Sequence, residues 1–213
     1  MLRRTAAVRL DVSDAELKVG LKTTVDALNN VIGQVFMSDT LENGAGYSTH
    51  LGAPAEFEAL LRDICGPTVL GRMDERARPD DHGHACQTSC HECMRDYGNL
   101  AYHSILDWRL SVDMARLALD PRAAIDFTPP YWAGVDALAV QRLKAALPKS
   151  TVITLAGLQA VQHGPTAVIA AHPLWDIRAK TLHPALAAAA AAASAAGLSS
   201  EFKSTFMLIR RPL

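Results

Sequence analysis

The chain has 213 residues, of which 49% are apolar and 20% charged, a composition typical of globular proteins that form one large or two small domains. Its formal net charge of −1 argues against a domain that holds nucleic acid alone, because such domains are usually basic. No apolar run follows the start, Met1-Leu-Arg-Arg, and no stretch reaches the ~18 apolar residues of a membrane span. We therefore expect a cytoplasmic protein without a signal peptide or membrane contact.

The first third of the chain alternates between strand and helix patterns. Leu17, Val19 and Leu21 alternate with polar or small residues, which predicts a half-buried strand. A later segment repeats apolar residues at i, i+3, i+4 and i+7 behind a proline, which predicts a helix. The predicted elements are a helix end over 2–10, a strand over 17–22, a loop or short helix over 23–33, a buried strand over 34–39 and a helix over 54–65.

A tight turn is predicted where the strand over 34–39 ends. Asp39 closes that strand, and Gly44 and Gly46 follow in a segment where glycine can adopt a positive φ. Glycine-rich turns can also hold phosphate at a helix N-terminus. Here no Walker A or dinucleotide fingerprint is present, and Asp39 and Glu42 would repel phosphate. We therefore predict a structural turn and no nucleotide hydrolysis by this chain alone.

The rest of the chain continues the alternation of helices and strands. The predicted elements are a helix over 99–119 with the apolar stripe Tyr102, Leu106, Leu110, Met114 and Leu117, a helix over 133–147, strands over 151–155, 158–162 and 166–171, an alanine-rich helix over 184–196, and a strand over 206–209. This order predicts an α/β fold, with mixed α+β as the alternative, in which a sheet is flanked by helices.

The four cysteines form the most specific pattern in the sequence. Cys86, Cys90 and Cys93 fall within eight residues, and Cys65 ends the predicted helix upstream. Four thiolates can bind Zn²⁺ as a closed tetrahedral site, which is structural because no position is left for water. Alternatives are buried free cysteines, a disulfide, or a redox sensor. If Cys65 is too far away, the fourth ligand could be one of three histidines: His82, His84 or His91.

A polar face is predicted on the helix that follows the cysteines. Asn99, His103 and Asp107 recur at i, i+4 and i+8, which places them together on an ideal helix. Such a face more often orients metal ligands or caps backbone groups than carries out catalysis. The alternative is a metal-dependent nuclease, in which acidic residues with His103 or His172 bind a divalent ion in the C-terminal half.

Two segments resemble a known zinc-binding domain. The first is Ser38-Asp-Thr-Leu-Glu-Asn-Gly-Ala-Gly-Tyr-Ser-Thr-His-Leu-Gly52. The second starts at Cys86 and reads Cys-x2-Ser-Cys-x2-Cys-Met-Arg-Asp-Tyr-x-Asn-x3-His-x3-Asp-Trp-Arg-Leu-x2-Asp. Both are similar to the four-cysteine domain at the C-terminus of MrfA-type DNA-repair helicases, which also occurs in the helicase-associated protein of DISARM-type phage-defence systems.

The resemblance implies a set of ligands and a setting for the protein. It implies that Cys65, Cys86, Cys90 and Cys93 bind Zn²⁺, and that a polar framework surrounds them, made of Arg95, Tyr97, Asn99, His103 and Asp107. It also implies work on DNA beside helicase lobes, which this chain lacks. We therefore expect a zinc-knuckle domain over 1–120 and an α/β portion over 121–213, packed into one unit. The expected role is a non-catalytic accessory module that contacts DNA and a helicase or other motor subunit.

Overall fold

The computed structural model describes residues 1–41, 44–67, 69, 86–91 and 93–212. The chain divides into two compact units, Met1–Ala123 and Ala124–Leu213, here called unit 1 and unit 2. Each unit combines helices with its own β-sheet, so the predicted mixed α/β class is confirmed. Whether the two portions pack into one unit stays a prediction. Among the described residues, none of the helices combines the length and the apolar character that a membrane span requires.

Unit 1 contains a β-hairpin and several helices. Its elements are α1 (Leu2–Leu10), β1 (Leu17–Val25), β2 (Val31–Asp39), α2 (Tyr47–Leu51), α3 (Pro54–Cys65), a 3₁₀ helix (Tyr97–Tyr102) and α4 (Trp108–Leu119). A small core forms where the base of the hairpin meets the helices, and its buried members are Ala6, Leu17, Leu51 and Leu60. The predicted helix over 54–65 is confirmed.

The hairpin is longer than the sequence pattern indicated. β1 and β2 pair antiparallel from Leu17 opposite Asp39 to Val25 opposite Val31. The prediction of a loop or short helix over 23–33 is therefore wrong at both ends of that range. The reversal is made by Asp26, whose carboxylate accepts the backbone N–H groups of Leu28 and Asn30 at 2.9 and 2.8 Å. A turn held by an aspartate in this way needs little apolar sequence of its own.

The segment after the cysteines is not the single helix predicted over 99–119. The 3₁₀ helix ends at Tyr102, and α4 begins only at Trp108. Asp107 is the N-cap of α4, and its side chain accepts the backbone N–H of Arg109 at 3.1 Å. The predicted apolar stripe is also wrong, because Tyr102 and Met114 are more than half exposed. The buried apolar residues of α4 are instead Trp108, Val112 and Ala115.

Unit 2 is a four-stranded sheet with helices on both faces. Its elements are α5 (Val135–Ala146), β3 (Thr151–Leu155), β4 (Leu158–His163), β5 (Thr166–Ala171), α6 (Pro184–Ala195), β6 (Ser199–Ser204) and α7 (Thr205–Arg210). The strand order is β3-β4-β5-β6, with antiparallel pairs except β5 and β6, which are parallel. The predicted strands β3, β4 and β5 and the predicted helices α5 and α6 are therefore confirmed.

Successive residues of β5 point to opposite faces of this sheet, as strand geometry requires. One face, with Ala167, Ile169 and Ala171, packs in the same core cluster as α6. The other face, with Val168 and Ala170, packs against α5 and α7. All five side chains are buried, so β5 is the centre of the core of unit 2.

The prediction of a final strand over 206–209 is wrong. These residues belong to the helix α7, and the strand that precedes it, β6, lies over Ser199–Ser204. The side chain of Ser204 accepts the backbone N–H of Phe206 at 3.2 Å and so caps the helix. A run of four apolar residues fits a buried strand or a buried helix turn equally well, and the cap decides between them here.

Candidate metal centre

Three cysteine sulfurs meet in one loop of unit 1. The Sγ of Cys93 lies 3.5 Å from the Sγ of Cys86 and 3.4 Å from the Sγ of Cys90. Their sulfurs all lie within 4.8 Å of one another, and none of the three forms a disulfide. Cys86 and Cys93 are buried, and Cys90 is half-buried. This thiol cluster is a group that can hold a metal ion.

Backbone hydrogen bonds shape the loop around these sulfurs. The carbonyl oxygen of Cys90 accepts the N–H groups of Cys93, Met94 and Arg95, which forms a tight turn. The N–H of Cys90 donates to the Sγ of Cys93 at 3.0 Å. Cys93 is therefore the sulfur best placed to carry negative charge.

Hydrogen bonding divides the protons unequally within the cluster. A hydrogen bond from Cys86 lowers the pKa of Cys93 to about 6, and backbone N–H groups add to this effect against the opposing effect of burial. The same hydrogen bond, together with burial, raises the pKa of Cys86 well above its usual range. Metal ligation by cysteine needs thiolates, and the surroundings of Cys93 favour that form more than those of Cys86.

Cys65 is not part of the thiol cluster. It ends α3, and its Sγ donates to the carbonyl oxygen of Val112 in α4 at 3.8 Å. Burial raises the pKa of the Cys65 thiol. The role of Cys65 as the fourth ligand stays a prediction, and it would require this sulfur to leave Val112.

The histidine alternatives are placed only in part. His91 is exposed and outside the cluster, with its ring 5.7 Å from that of His103. The other two candidates, His82 and His84, lie outside the described residues. The geometry thus brings together three of the four predicted ligands, Cys86, Cys90 and Cys93.

The start of α4 is tied directly to the cysteine loop. The indole N–H of Trp108 donates to the carbonyl oxygen of Cys86 at 2.8 Å, and its backbone N–H donates to the carbonyl oxygen of Thr88 at 2.9 Å. The guanidinium of Arg109 donates to the carbonyl oxygen of Gln87. Neither Trp108 nor Arg109 was identified as a site residue from the sequence. Their position directly after Asp107, a residue typical of helix N-caps, is the signal that was available.

The other end of the cysteine loop is held by Asn99 and His103. The side-chain N–H of Asn99 donates to the carbonyl oxygen of Met94 at 2.8 Å, and its Oδ1 accepts the backbone N–H of Asp96 at 3.0 Å. The Nε2 of His103 lies 2.8 Å from that Oδ1 and 3.1 Å from the carbonyl oxygen of Asp96. Both neighbours are acceptors, so Nε2 carries the hydrogen. These hydrogen bonds fix the backbone that follows Cys93.

The remaining framework residues play different parts. Arg95 donates through Nε to the Oγ of buried Ser89 at 2.9 Å, within the cysteine loop. Tyr97 is 91% exposed. Asp107 caps α4 and does not join Asn99 and His103, so the prediction of one shared polar face is wrong. The reason is the break between the 3₁₀ helix and α4, which removes the i, i+8 alignment.

The turn after β2 has its own anion in place. The Asp39 carboxylate accepts the backbone N–H groups of Gly46, Tyr47 and Ser48 at 2.9, 3.1 and 2.7 Å. Gly46 has φ 79°, and a Cβ on Gly44 would lie 2.6 Å from an Asp39 oxygen. Asp39 therefore occupies the position at the start of α2 that a phosphate would need. This arrangement explains why both glycines are required by the turn itself.

The histidine of the nuclease alternative lies in the core of unit 2. His172 is fully buried, with its ring centroid 4.6 Å from that of Trp132 and 5.2 Å from that of Phe127. In the part of the chain that the structure describes, the thiol cluster is the only group of three or more cysteine, histidine or acidic side chains placed to hold a metal. The thiol cluster is therefore the candidate metal centre.

In comparisons with known proteins, no family model, no curated protein and no solved structure matches the chain.

Proposed function

We propose that unit 1 is a structural zinc-binding module, and that the protein acts as an accessory subunit of a helicase-type complex for DNA processing or phage defence. The observation that carries the proposal is the thiol cluster, in which three sulfurs converge from eight residues of chain. Zn–S bonds of ~2.3 Å place tetrahedral sulfurs about 3.8 Å apart. The separations of 3.4 and 3.5 Å are close to that value.

The surroundings of the cluster support a structural role over a catalytic one. Both flanks of the loop are fixed to helical segments, by Trp108 on one side and by Asn99 on the other. A metal ion there would fix the loop that Trp108 ties to α4. Small domains with limited cores commonly depend on such an ion for stability.

The wider setting rests on the sequence resemblance. The segments 38–52 and 86–113 resemble the zinc domain of DNA-repair and phage-defence helicases, and the chain carries no Walker A motif of its own. The proposed partner is therefore a helicase or other motor subunit in a separate chain, with DNA contacted jointly. In this proposal, the protein has no enzymatic activity on its own.

Metal analysis of the purified protein tests the zinc module. We expect about one Zn per chain, and loss of that metal from Cys86→Ser, Cys90→Ser and Cys93→Ser. Cys65→Ser is the matched variant that decides the fourth ligand. Zinc retained in Cys65→Ser would exclude Cys65 from the site, whereas zinc lost would identify it as a ligand. Wild-type protein that binds no metal under reducing conditions contradicts the proposal.

Co-purification tests the accessory role separately. The protein expressed with its neighbouring genes should elute with a chain that contains ATPase motifs, and the ATPase or unwinding rate of that chain should fall when the protein is left out. Elution alone, with no motor encoded nearby, would remove the helicase setting. The zinc module would be unaffected by that result.

The same sulfur geometry favours a second candidate, a cysteine redox sensor. Cys93 lies within 3.5 Å of both other thiols, so a disulfide could form with little movement. Mass spectrometry before and after mild peroxide treatment distinguishes the two functions. A disulfide that forms in metal-loaded protein and reverses with thiol would favour the sensor, and resistance to peroxide would favour the structural site.

A further inference from the structure

One face of the hairpin carries two lysines and an aromatic side chain. Side chains alternate between the two faces of a strand, so Lys18, Gly20 and Lys22 of β1 share a face. The register places Phe36 of β2 opposite Gly20, on that same face. We call Lys18, Phe36 and Lys22 the basic-aromatic face of the hairpin.

The ring of Phe36 reaches across to β1 between the two lysines. A Cβ added at Gly20 would lie 2.3 Å from Cζ of Phe36 and 2.8 Å from each Cε, so the far edge of the ring lies over the Gly20 backbone. With a strand rise of ~3.3 Å per residue, the Cα atoms of Lys18 and Lys22 are about 13 Å apart, and the ring lies midway between these residues. The result is a line of cation, aromatic ring and cation along β1.

An aromatic ring that covers a glycine on the neighbouring strand is also a means of stabilising a sheet. That role accounts for the side of the ring that meets Gly20. It does not account for the rest of the side chain, because Phe36 remains 52% exposed. It also does not account for the presence of one lysine on each side of the ring.

The two lysines differ in their charged neighbours from several other cations of unit 1. Arg3, Arg4 and Arg9 pair with carboxylates within 4.0 Å. Within the described ranges, neither Lys18 nor Lys22 has an ion pair, and both are exposed. Their ammonium groups are therefore available to an external anion.

A cleft beside the thiol cluster meets the hairpin at Lys18 and at Val19, which lie on its opposite faces. Lys18 lines this cleft, which has a volume of about 640 Å³, together with Arg3, Arg4, Tyr102 and Cys93. Tyr102 is 58% exposed and offers a second aromatic ring. Asp96 also lines the cleft, but its carboxylate is engaged by Arg3. The surface therefore extends beyond the hairpin itself.

We propose that the basic-aromatic face binds single-stranded nucleic acid, with Lys18 and Lys22 on two phosphates of one strand and a base stacked on Phe36. Lysines bind phosphate without regard to sequence, and an exposed ring accepts any unstacked base. The bases of a duplex are already stacked on each other, so the ring selects single strands. The inference deepens the proposed function, since DNA processing would supply such a strand.

Fluorescence anisotropy with a short labelled oligodeoxythymidine tests the proposal, with the matching oligouridine and a DNA duplex as parallel probes. Phe36→Leu should weaken single-strand binding by about 5- to 150-fold, the range expected for loss of one stacked base. Lys18→Gln with Lys22→Gln should reduce the slope of log K against log salt by about 0.7 for each phosphate that the variant no longer neutralises. Phe36→Trp should retain binding because it retains a stacking surface.

The matched control reverses charge on unit 2. The test variant is the pair Lys18→Glu with Lys22→Glu, and the control is the pair Lys144→Glu with Lys180→Glu. Both pairs change the net charge equally, and all four lysines are exposed. Binding reduced equally by both pairs, or unchanged by Phe36→Leu, would overturn the proposal, as would a preference for duplex. Equal affinity for DNA and RNA strands supports it. Zinc content is measured in the same samples, so a metal-free protein that still binds strands refutes the zinc module alone.

Discussion

The sheets of the two units differ in how they are covered. In unit 2, every side chain of β5 from Ala167 to Ala171 is buried between α6 on one face and α5 and α7 on the other. In unit 1, the hairpin has only two strands, and the aliphatic side chains Leu21 and Val31 are 72% and 74% exposed. A two-stranded sheet is at best marginally stable alone. We therefore expect unit 2 to be stabilised by its apolar core and unit 1 by the links around the thiol cluster.

Removal of the thiol cluster should give the largest effect, and only in unit 1. Cys93→Ser takes away the sulfur that contacts both other thiols. Structural zinc contributes about 10–16 kcal/mol of apparent binding free energy in zinc-finger peptides. We expect unit 1 to lose its cooperative unfolding transition in calorimetry, while that of unit 2 is unchanged. A chelator should have the same effect on wild type, and loss of both transitions would show that the two units unfold together.

A cavity in the core of unit 2 should give the converse result. Ile169 is fully buried at the centre of the sheet, so Ile169→Ala should lower the free energy of unfolding of unit 2 by about 2–5 kcal/mol. Zinc content should be unchanged. Leu21→Ala on the exposed hairpin is the matched control and should change stability by less than about 0.5 kcal/mol. A large effect at Leu21 would show that its face of the hairpin, opposite to the basic-aromatic face, is covered in solution.

Loss of the indole bond should loosen the cysteine loop without removing a sulfur. Trp108→Phe keeps a ring in a buried position but leaves the Cys86 carbonyl oxygen without the indole N–H. An unsatisfied buried carbonyl costs about 1–3 kcal/mol. We expect unit 1 to be destabilised by that amount and zinc affinity to fall about tenfold in chelator competition. Unchanged affinity would mean that the loop is held by the metal alone.

Mild acid should affect unit 2 through His183. Its ring stacks on Trp175 at 4.1 Å, and its Nδ1 accepts the backbone N–H of Ala185 at 3.3 Å. Burial lowers the pKa of His183 below 6.5, with Asp126 opposing and His172 reinforcing the shift. The unfolded chain then binds the proton more readily, so stability is complete above pH 6.5 and falls as pH drops toward the folded-state pKa. In calorimetry, the stability of unit 2 should fall less with decreasing pH in His183→Phe than in wild type.

Stronger acid should affect unit 1 through Asp39. Hydrogen bonds from Ser48, Gly46 and Tyr47 lower the pKa of Asp39 below 3.8. A lowered carboxyl pKa contributes stability above the unfolded value, and that contribution is lost as pH falls through the folded value. Unit 1 should therefore lose stability below pH 3.8 more steeply in wild type than in Asp39→Asn. Parallel curves for the two proteins would show that the turn does not depend on this charge.

Prediction from sequence succeeded where the deciding contacts lie close along the chain. The apolar periodicity behind Pro54 defines α3, and alternating or apolar runs define the strands of unit 2. It failed where one capping residue decides, as at Asp107, which ends any continuous helix from Asn99, and at Ser204, which starts α7. A cap depends on backbone angles that periodicity does not report.

For the candidate site too, prediction from sequence succeeded for contacts that lie close along the chain and failed for distant ones. The spacing of Cys86, Cys90 and Cys93 determined the thiol cluster, because eight residues of loop leave little freedom for their separation. The position of Cys65 depends on how α3 packs against α4, and the roles of Trp108 and Arg109 depend on where α4 begins. The sequence alone therefore determined the local elements and the three converging sulfurs. Only the tertiary structure decided which side chains hold that loop and which residues face each other across the hairpin, since both depend on contacts between residues far apart in the chain.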